Sequence, residues 1–249
     1  MGSNFIRHLH QSYGDYQVFN LDLLTYAGNP ENLADIAGSE RYRFVRGDIG
    51  DKALVENLFV RHNFEVVINF AAESHVDRSL LDAFQFIKTN IQGAYILLET
   101  VRRYKIPRYI YISTDEVYGD VPPGKKSRED HPLEPTNPYA ATKASADLMV
   151  QSYIKTHRVP ALVLRSSNNF GPYQYPEKLN SLVITNFLEG KKVPIHGRGE
   201  HIRSWIHVQD FCSALDLVMH KAPDFRIYNI AGEEKSNMEV ARLWAKTLG

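Results

Sequence analysis

Residues 112–120, "ISTDEVYGD", place the carboxylates of Asp115 and Glu116 side by side directly after an apolar run. The run predicts a buried strand, so the pair stands at the open end of a sheet. Adjacent acids repel each other there, and a protein gains nothing from that repulsion unless the acids do chemistry. The alternative is a solvated turn that contains two acids by chance.

A tyrosine and a lysine four residues apart, Tyr139 and Lys143, form a second pair suited to chemistry. Positions i and i+4 share a helix face, so the ammonium can lie near the phenol. A phenol titrates near about 10, and its use as a base near pH 7 requires a fall of about three in pKa, which is about 4 kcal/mol. The Lys143 cation and an oxidised nicotinamide both act in that direction. Tyr139 would accept a hydroxyl proton as hydride leaves for NAD, while Thr114 holds the oxygen. The spacing alone also fits an exposed helix pair without function.

Short apolar runs alternate with helix-period segments, a pattern typical of a parallel sheet covered by helices. It predicts strands at 16–22, 43–49, 65–72, 108–114, 160–166 and 225–232, and helices over 51–62, 90–104, 137–157 and 208–222. The predicted fold is α/β, a Rossmann-like doubly wound parallel sheet that binds ligands at the carboxyl ends of its strands. The segments 166–180 and 196–205 are predicted to be long binding loops. We expect a dinucleotide-binding domain over 1–167 and a smaller substrate-binding part over 168–249, with 205–232 returning to the first domain.

Composition excludes several function classes. The 249 residues include 29 basic and 29 acidic side chains and no basic stripe, so nucleic acid is not an expected partner. No apolar stretch approaches the roughly 18 residues of a membrane span. The ten histidines lack metal-ligand spacing, and no metal is expected. The one cysteine, Cys212, is interpreted as a core residue of a protein in the reducing cytoplasm.

The expected dinucleotide site is incomplete at its start. The chain opens on a helix pattern at Gly2 with no strand upstream, so the first strand and most of the glycine loop are expected to be missing. Gly2 is either the last glycine of that loop or part of an expression-tag remnant. Asp22 ends a strand where a ribose-binding acid belongs, although it also suits a turn. Asp48, followed by Ile49, fits an adenine contact or a helix cap.

Five segments then identify a family: "NFAAESHVDRS" (69–79), "STDEVYGD" (113–120), "NPYAATKASAD" (137–147), "RSSNNFGPYQYPEKL" (165–179) and "PIHGRGEHIRSWIHVQD" (194–210). In order and spacing they resemble the extended short-chain dehydrogenases, and most of all the dTDP-glucose 4,6-dehydratases. The triplet Thr-Asp-Glu at 114–116 is the most specific part.

The resemblance implies a hydro-lyase that oxidises dTDP-glucose at C4 with NAD, removes water across C5 and C6, and returns hydride to C6. It implies that Glu116 is the base for the C5 proton and Asp115 the acid for the leaving hydroxyl, with Thr114, Tyr139 and Lys143 as the other catalytic residues. Crowding and burial would raise the pKa of one carboxyl, so that it stays protonated beside its ionised neighbour.

The resemblance also assigns binding residues position by position. The residues that would contact NAD are Asp22, Asp48, Ile49, Ala71, Ala72, Thr89, Tyr139, Lys143 and Asn169. Those that would line the nucleotide-sugar site are Ser74, Thr114, Asn168, Lys178, Leu179, Pro194, His196, Arg203 and Asn237. Arg203 suits a diphosphate because its guanidinium fork matches phosphate oxygens.

The chain also departs from the family pattern. It ends at "LWAKTLG", before the family's later Arg-Pro-Gly-His segment, so we expect weakened binding and activity in this chain by itself. Helices 90–104 and 139–157 are the pair through which such proteins form homodimers. The open alternatives are another nucleotide-sugar dehydratase, decarboxylase or epimerase, and an inactive truncated relative that acts as a binding module.

Overall fold

The computed structural model describes residues 1–122, 124–195 and 197–249. Its strands are β1 (Val18–Asp22), β2 (Tyr42–Arg46), β3 (Val66–Asn69), β4 (Arg108–Thr114), β5 (Ala161–Ser166), β6 (Asn168–Phe170), β7 (Ile202–His207), β8 (Arg226–Ile230) and β9 (Glu233–Ser236). Its helices are α1 (Gly2–Ser12), α2 (Lys52–Arg61), α3 (Val76–Leu81), α4 (Phe84–Phe86), α5 (Ala94–Tyr104), α6 (Pro138–His157), α7 (Leu179–Leu188), α8 (Val208–Lys221) and α9 (Asn237–Leu248). Between them lie 3₁₀ turns at Pro30–Leu33 and Asp115–Tyr118 and a π-helical segment at Ile87–Gly93.

Two of the three sheets that the described residues form are fully parallel, as the alternating pattern predicts. β3, β4, β5 and β8 pair in that order in one fully parallel sheet, and β1 pairs in parallel with β2 in another. A third sheet joins β6 in parallel to β7, and β7 antiparallel to β9. The α/β prediction is therefore confirmed. β1 and β3 do not pair within the described part of the chain, so the strand pairs on either side of them form two separate sheets.

The core lies on both faces of β4 and β5. Tyr109 and Tyr111 of β4 pack in an apolar layer with α5 and α6, while Ile110 and Ile112 pack in a second layer with α1 and α8. Successive side chains of a strand point to opposite faces, so a sheet covered on both sides needs this unbroken apolar run. Cys212 of α8 is buried in the second layer, which confirms the interpretation of this residue as part of the core.

Several predicted boundaries need correction. The strand expected over 43–49 ends at Arg46, and that over 65–72 ends at Asn69. The helix expected over 90–104 is α-helical only from Ala94, after the π-helical segment. A Cβ on Gly93 would lie 2.6 Å from the side chain of Ile49, so the backbone comes unusually close to its neighbour there. The local periodicity of the sequence does not predict such a contact between distant residues.

The two segments predicted to be long loops contain regular structure. β6 lies within 166–180, and β7 begins within 196–205. β6 was missed because it is only three residues long, and β7 because it mixes polar and apolar residues beside a glycine-rich segment. Both strands are defined by pairing between distant parts of the chain, which local patterns do not show. The helix α9 was also missed, although Ser236 and Glu239 form a capping box at its start.

Candidate active site

A large cavity opens where the central strands end. Its volume is about 1220 Å³, and its walls include residues that follow β3, β4 and β5 at their carboxyl ends. Parallel strands bring these ends to one edge of the sheet, so residues far apart in sequence meet there. Lining residues from the three strand ends are Ala71 and Ala72, Thr114 and Asp115, and Ser166 and Ser167.

Tyr139 and Lys143 enter this cavity from the first two turns of α6. The helix begins after Asn137, whose side-chain oxygen accepts a hydrogen bond from the backbone N–H of Ala140 at 2.8 Å. Tyr139 is 9% exposed and Lys143 only 3%. The Lys143 ammonium donates to the carbonyl of Ile112 at 2.6 Å, and burial lowers its pKa to about 7.

The pKa of Tyr139 differs from the sequence-based expectation. Burial raises it, the charge of Glu116 raises it further, and a hydrogen bond with Thr114 acts in the lowering direction. The expected depression by Lys143 is therefore not found in the protein chain itself. Desolvation of the phenolate is the largest effect on this pKa, and the Lys143 ammonium lies 4.4 Å from the centre of the Tyr111 ring. A phenolate at this position needs an additional positive charge close to the ring.

The acidic pair occupies the 3₁₀ turn Asp115–Tyr118, which we call the acid turn. The Thr114 hydroxyl caps the turn, accepting from the Glu116 N–H at 3.3 Å, and donates to the Asp115 carboxylate at 3.2 Å. Burial, and then the charge of Glu116, raises the pKa of Asp115 to about 6. The Glu116 carboxylate accepts a hydrogen bond from the Asn137 amide at 3.1 Å. The two acids thus sit in different environments, as an acid and a base require.

Most of the residues predicted to contact a dinucleotide line the cavity: Asp22, Ile49, Ala71, Ala72, Tyr139, Lys143 and Asn169. Two others do not. The Asp48 carboxylate accepts from the N–H of Gly50 at 2.7 Å and so stabilises a local turn. The alternative role predicted for Asp48, a helix cap, is wrong, since Asp51 caps α2. Thr89 lies in the π-helical segment, away from the cavity wall.

The predicted substrate residues divide in the same way. Those that line the cavity are Ser74, Thr114, Asn168, Lys178, Leu179, Arg203 and Asn237. The Lys178 ammonium is held there by the carbonyl of Ser74, to which it donates at 2.8 Å. Pro194 is exposed and lies outside the cavity wall, and His196 lies outside the described residues.

Sequence reasoning missed Glu177, whose carboxylate is the centre of a polar cluster in the cavity wall. It accepts from the Tyr26 hydroxyl at 3.3 Å and lies 3.7 Å from the Arg78 guanidinium and 3.8 Å from the His75 ring. Burial, and then Glu177, raises the pKa of Tyr26 to about 12. The signal available in the sequence was an acid next to Lys178 inside a loop rich in tyrosine and proline.

The cavity suits a polar ligand with phosphate groups. Ser167 Oγ, Asn168 Nδ2 and Asn169 Oδ1 are buried in its wall and have no hydrogen-bond partner within the described part of the chain. Buried polar atoms are normally paired, so these are suited to ligand contacts. The first turn of α1 lines the same cavity, and N–H groups at a helix start favour anions. The residues present therefore fit a dinucleotide.

Neither a metal site nor a membrane-spanning helix is found in the part of the chain that the structure describes. Within residues 1–122, 124–195 and 197–249, no group of three or more His, Cys, Asp or Glu side chains is arranged to hold a metal ion. None of the helices in that part of the chain has both the length and the apolarity needed to cross a membrane.

Comparison with known proteins agrees with the motifs. The sequence model of the GDP-mannose 4,6 dehydratase family matches residues 1–248. The chain is 47% identical to the low-salt glycan biosynthesis protein Agl12 of Haloferax volcanii over 100% of this chain and 79% of that protein. It is 46% identical to a dTDP-glucose 4,6-dehydratase of Streptomyces niveus, over 94% of this chain and 69% of that protein. The solved dTDP-glucose 4,6-dehydratase of Bacillus anthracis, in complex with NAD, superposes with a TM-score of 0.93 at 44% identity, over 100% of this chain and 77% of that one.

Proposed function

Because the chain belongs to the GDP-mannose 4,6 dehydratase family, we propose that it is an NAD-dependent hydro-lyase that converts dTDP-glucose into dTDP-4-keto-6-deoxyglucose. The observation that carries the proposal is the meeting of Tyr139, Asp115 and Glu116 in one cavity. An oxidising pair and an acidic pair in the same cavity match an elimination that depends on a prior oxidation. The relatives at 44–46% identity that are dTDP-glucose 4,6-dehydratases support the substrate.

Tyr139 acts first, as the base that accepts the proton of the C4 hydroxyl while the C4 hydrogen departs as hydride. Thr114 is hydrogen-bonded to the phenol and holds the sugar oxygen. Lys143 supplies a positive charge from the same helix face when it is protonated. The result is a C4 carbonyl, which makes the neighbouring C5 proton acidic.

The acid turn then removes water. Glu116 takes the C5 proton, Asp115 protonates the C6 hydroxyl, and water leaves as the C5–C6 double bond forms. Hydride addition at C6 and return of a proton to C5 complete the product, so the net change is the loss of one water. Consecutive residues of a 3₁₀ turn diverge by about 120°, which lets two neighbours serve two adjacent carbons. The raised pKa of Asp115 favours its role as the proton donor.

NAD is the cofactor that we assign to the cavity, held by Asp22, Ile49, Ala71, Ala72, Tyr139, Lys143 and Asn169. When bound, it supplies an acceptor for the C4 hydride and a donor of that hydride to C6. The unpaired polar atoms of Ser167, Asn168 and Asn169 support this assignment. We assign the sugar nucleotide to Ser74, Asn168, Lys178, Leu179, Arg203 and Asn237, with Arg203 as a partner for the diphosphate.

Assay of the intact protein tests the function directly. With dTDP-glucose and NAD it should form a keto sugar that absorbs in alkali, and it should do so faster than with GDP-mannose or UDP-glucose. Tyr139→Phe should reduce the rate by about 10²–10⁴-fold, because the base of the first step is gone. The absence of keto product from dTDP-glucose, or a Tyr139→Phe variant with the full rate, would contradict the proposal.

We propose three further features of the protein. It forms a homodimer through residues 90–104 and 139–157, which is supported by exposed apolar side chains there such as Tyr95 and Leu148. The cytoplasm is the compartment that fits its one cysteine. The division into a dinucleotide-binding part over 1–167 and a substrate-binding part over 168–249, with 205–232 returning to the first part, is supported by β6, β7 and β9 forming a sheet of their own and by β8 joining the central sheet.

A further inference from the structure

We propose that Tyr118 and Arg165, which lie outside the cavity wall, position the acid turn for elimination. Neither residue lines the cavity described above, so neither touches the sugar or the cofactor as a catalytic residue would. The inference rests on the proposed dehydratase function, because it assigns these residues to one step of that reaction.

Arg165 is the centre of a buried network. Its side chain is 1% exposed, and that of Asp147 is 0% exposed. Nε and Nη2 of Arg165 donate to the two oxygens of the Asp147 carboxylate at 2.9 and 3.1 Å, a bidentate pairing. Its third nitrogen, Nη1, donates to the Tyr118 hydroxyl at 2.7 Å and to the carbonyl of Glu129 at 3.0 Å. Each guanidinium nitrogen is therefore used.

The network joins the elements that carry the catalytic side chains. Asp147 lies on α6, one turn after Lys143, and its carboxylate also accepts from the Ser113 hydroxyl at 3.0 Å. Ser113 directly precedes Thr114 at the end of β4. Tyr118 is the last residue of the acid turn, and its ring lies 4.9 Å from the guanidinium carbon. One cation on β5 thus ties α6, β4 and the acid turn together.

Tyr118 is the branch of this network that reaches the acid turn. Its hydroxyl accepts from Arg165 and donates to Asn229 at 2.7 Å, so its ring is anchored at the far end. The turn ends at Gly119, where φ is +72° and a Cβ would lie 2.1 Å from the carbonyl oxygen of Glu134. A turn fixed at both ends holds its two carboxylates at a set distance from Tyr139. That distance matters because oxidation and elimination act on adjacent carbons of one bound sugar.

The variant Tyr118→Phe tests the inference, since it removes one hydroxyl and keeps the ring. We expect kcat to fall about tenfold with KM unchanged, because a small misplacement of the acids slows their step. The isotope effect with dTDP-glucose deuterated at C5 should rise, and that with C4-deuterated substrate should fall, since elimination becomes the slower step. Arg165→Lys, which keeps the charge but loses the fork, should give the same signature.

Tyr153→Phe is the matched control. Tyr153 lies on α6, and its hydroxyl donates to Glu99 at 3.0 Å, away from the acid turn. This variant should keep the kcat and both isotope effects of the wild type. The inference is overturned if Tyr118→Phe keeps wild-type kcat and isotope effects, or if its loss of rate comes with a larger C4 effect. A wild-type protein that forms no keto sugar would overturn the proposed function instead, and the inference with it.

Discussion

At the scale of single residues, the environment of each titratable group decides its role. Asp115 and Glu116 are neighbours in sequence, and the pKa of Asp115 is raised to about 6 because it is buried and lies beside the charge of Glu116. Lys143 has its pKa lowered to about 7 by the same cause, burial, acting on a group of opposite charge. Desolvation is therefore the dominant electrostatic effect in this cavity.

The raised pKa of Asp115 predicts how stability depends on pH. An unfolded Asp titrates near about 3.9, so between that pH and about 6 the folded protein holds an additional proton, and stability falls as the pH rises. Asp115→Asn carries no charge and should be about 2–3 kcal/mol more stable than the wild type at pH 8, with little difference below pH 4. Urea unfolding, followed by tryptophan fluorescence at several pH values, measures this.

Asp35→Asn is a control whose effect on stability should have the opposite sign, because Arg7 holds the pKa of Asp35 below its usual range. That stabilisation is present above the unfolded pKa and is lost on acidification, so Asp35→Asn should be the less stable protein at pH 8. Parallel pH curves for the wild type and Asp115→Asn would show that Asp115 is not desolvated in solution.

At the scale of elements, α6 brings the oxidising pair to the acid turn, and the residue that caps α6, Asn137, links the two. The side chain of Asn137 caps the helix through its oxygen and binds Glu116 through its nitrogen. One amide therefore sets both where α6 begins and where the Glu116 carboxylate points. The two hydrogen bonds use opposite ends of the amide, so a substitution removes them together.

Comparison of two helix caps separates stability from activity. Asn137→Ala and Asp51→Ala each remove one cap, at α6 and at α2, and each should destabilise the protein by about 1 kcal/mol. Only Asn137→Ala should also slow dehydration, because only Asn137 holds Glu116. Unfolding curves and kcat for the two variants test this, and equal kcat values would argue against a role for Asn137 in orienting the base.

At the scale of the whole molecule, the cavity lies at the strand ends, while apolar side chains remain exposed on the outer faces of α5 and α6. Tyr95 is 44% exposed and Leu148 is 54% exposed. Large apolar side chains that remain exposed on two neighbouring helices support an interaction surface there. The proposed dimer would cover this surface with the same helices of a second copy, as two-fold symmetry requires.

Charge placed on that surface should separate the copies. Leu148→Glu should give a monomer, because a buried and unpaired carboxylate is unfavourable at an apolar interface. Leu217→Glu is the control, since Leu217 is 64% exposed on α8, outside the proposed interface. Light scattering coupled to size-exclusion chromatography reports both masses. A dimeric Leu148→Glu protein, or a wild type that is monomeric at all concentrations, would refute the proposed interface.

The amino-acid sequence by itself determined the α/β fold, the order of the central strands along the chain, and the pairs Asp115–Glu116 and Tyr139–Lys143. These follow from local periodicity and spacing, which are properties of the linear sequence. Tertiary structure decided what local patterns do not carry: that β6, β7 and β9 form a sheet, that Asp48 caps a turn, and that Glu177 lies in the cavity wall. It also decided that the pKa of Tyr139 is raised, since desolvation depends on every group packed around the phenol and not on Lys143 alone.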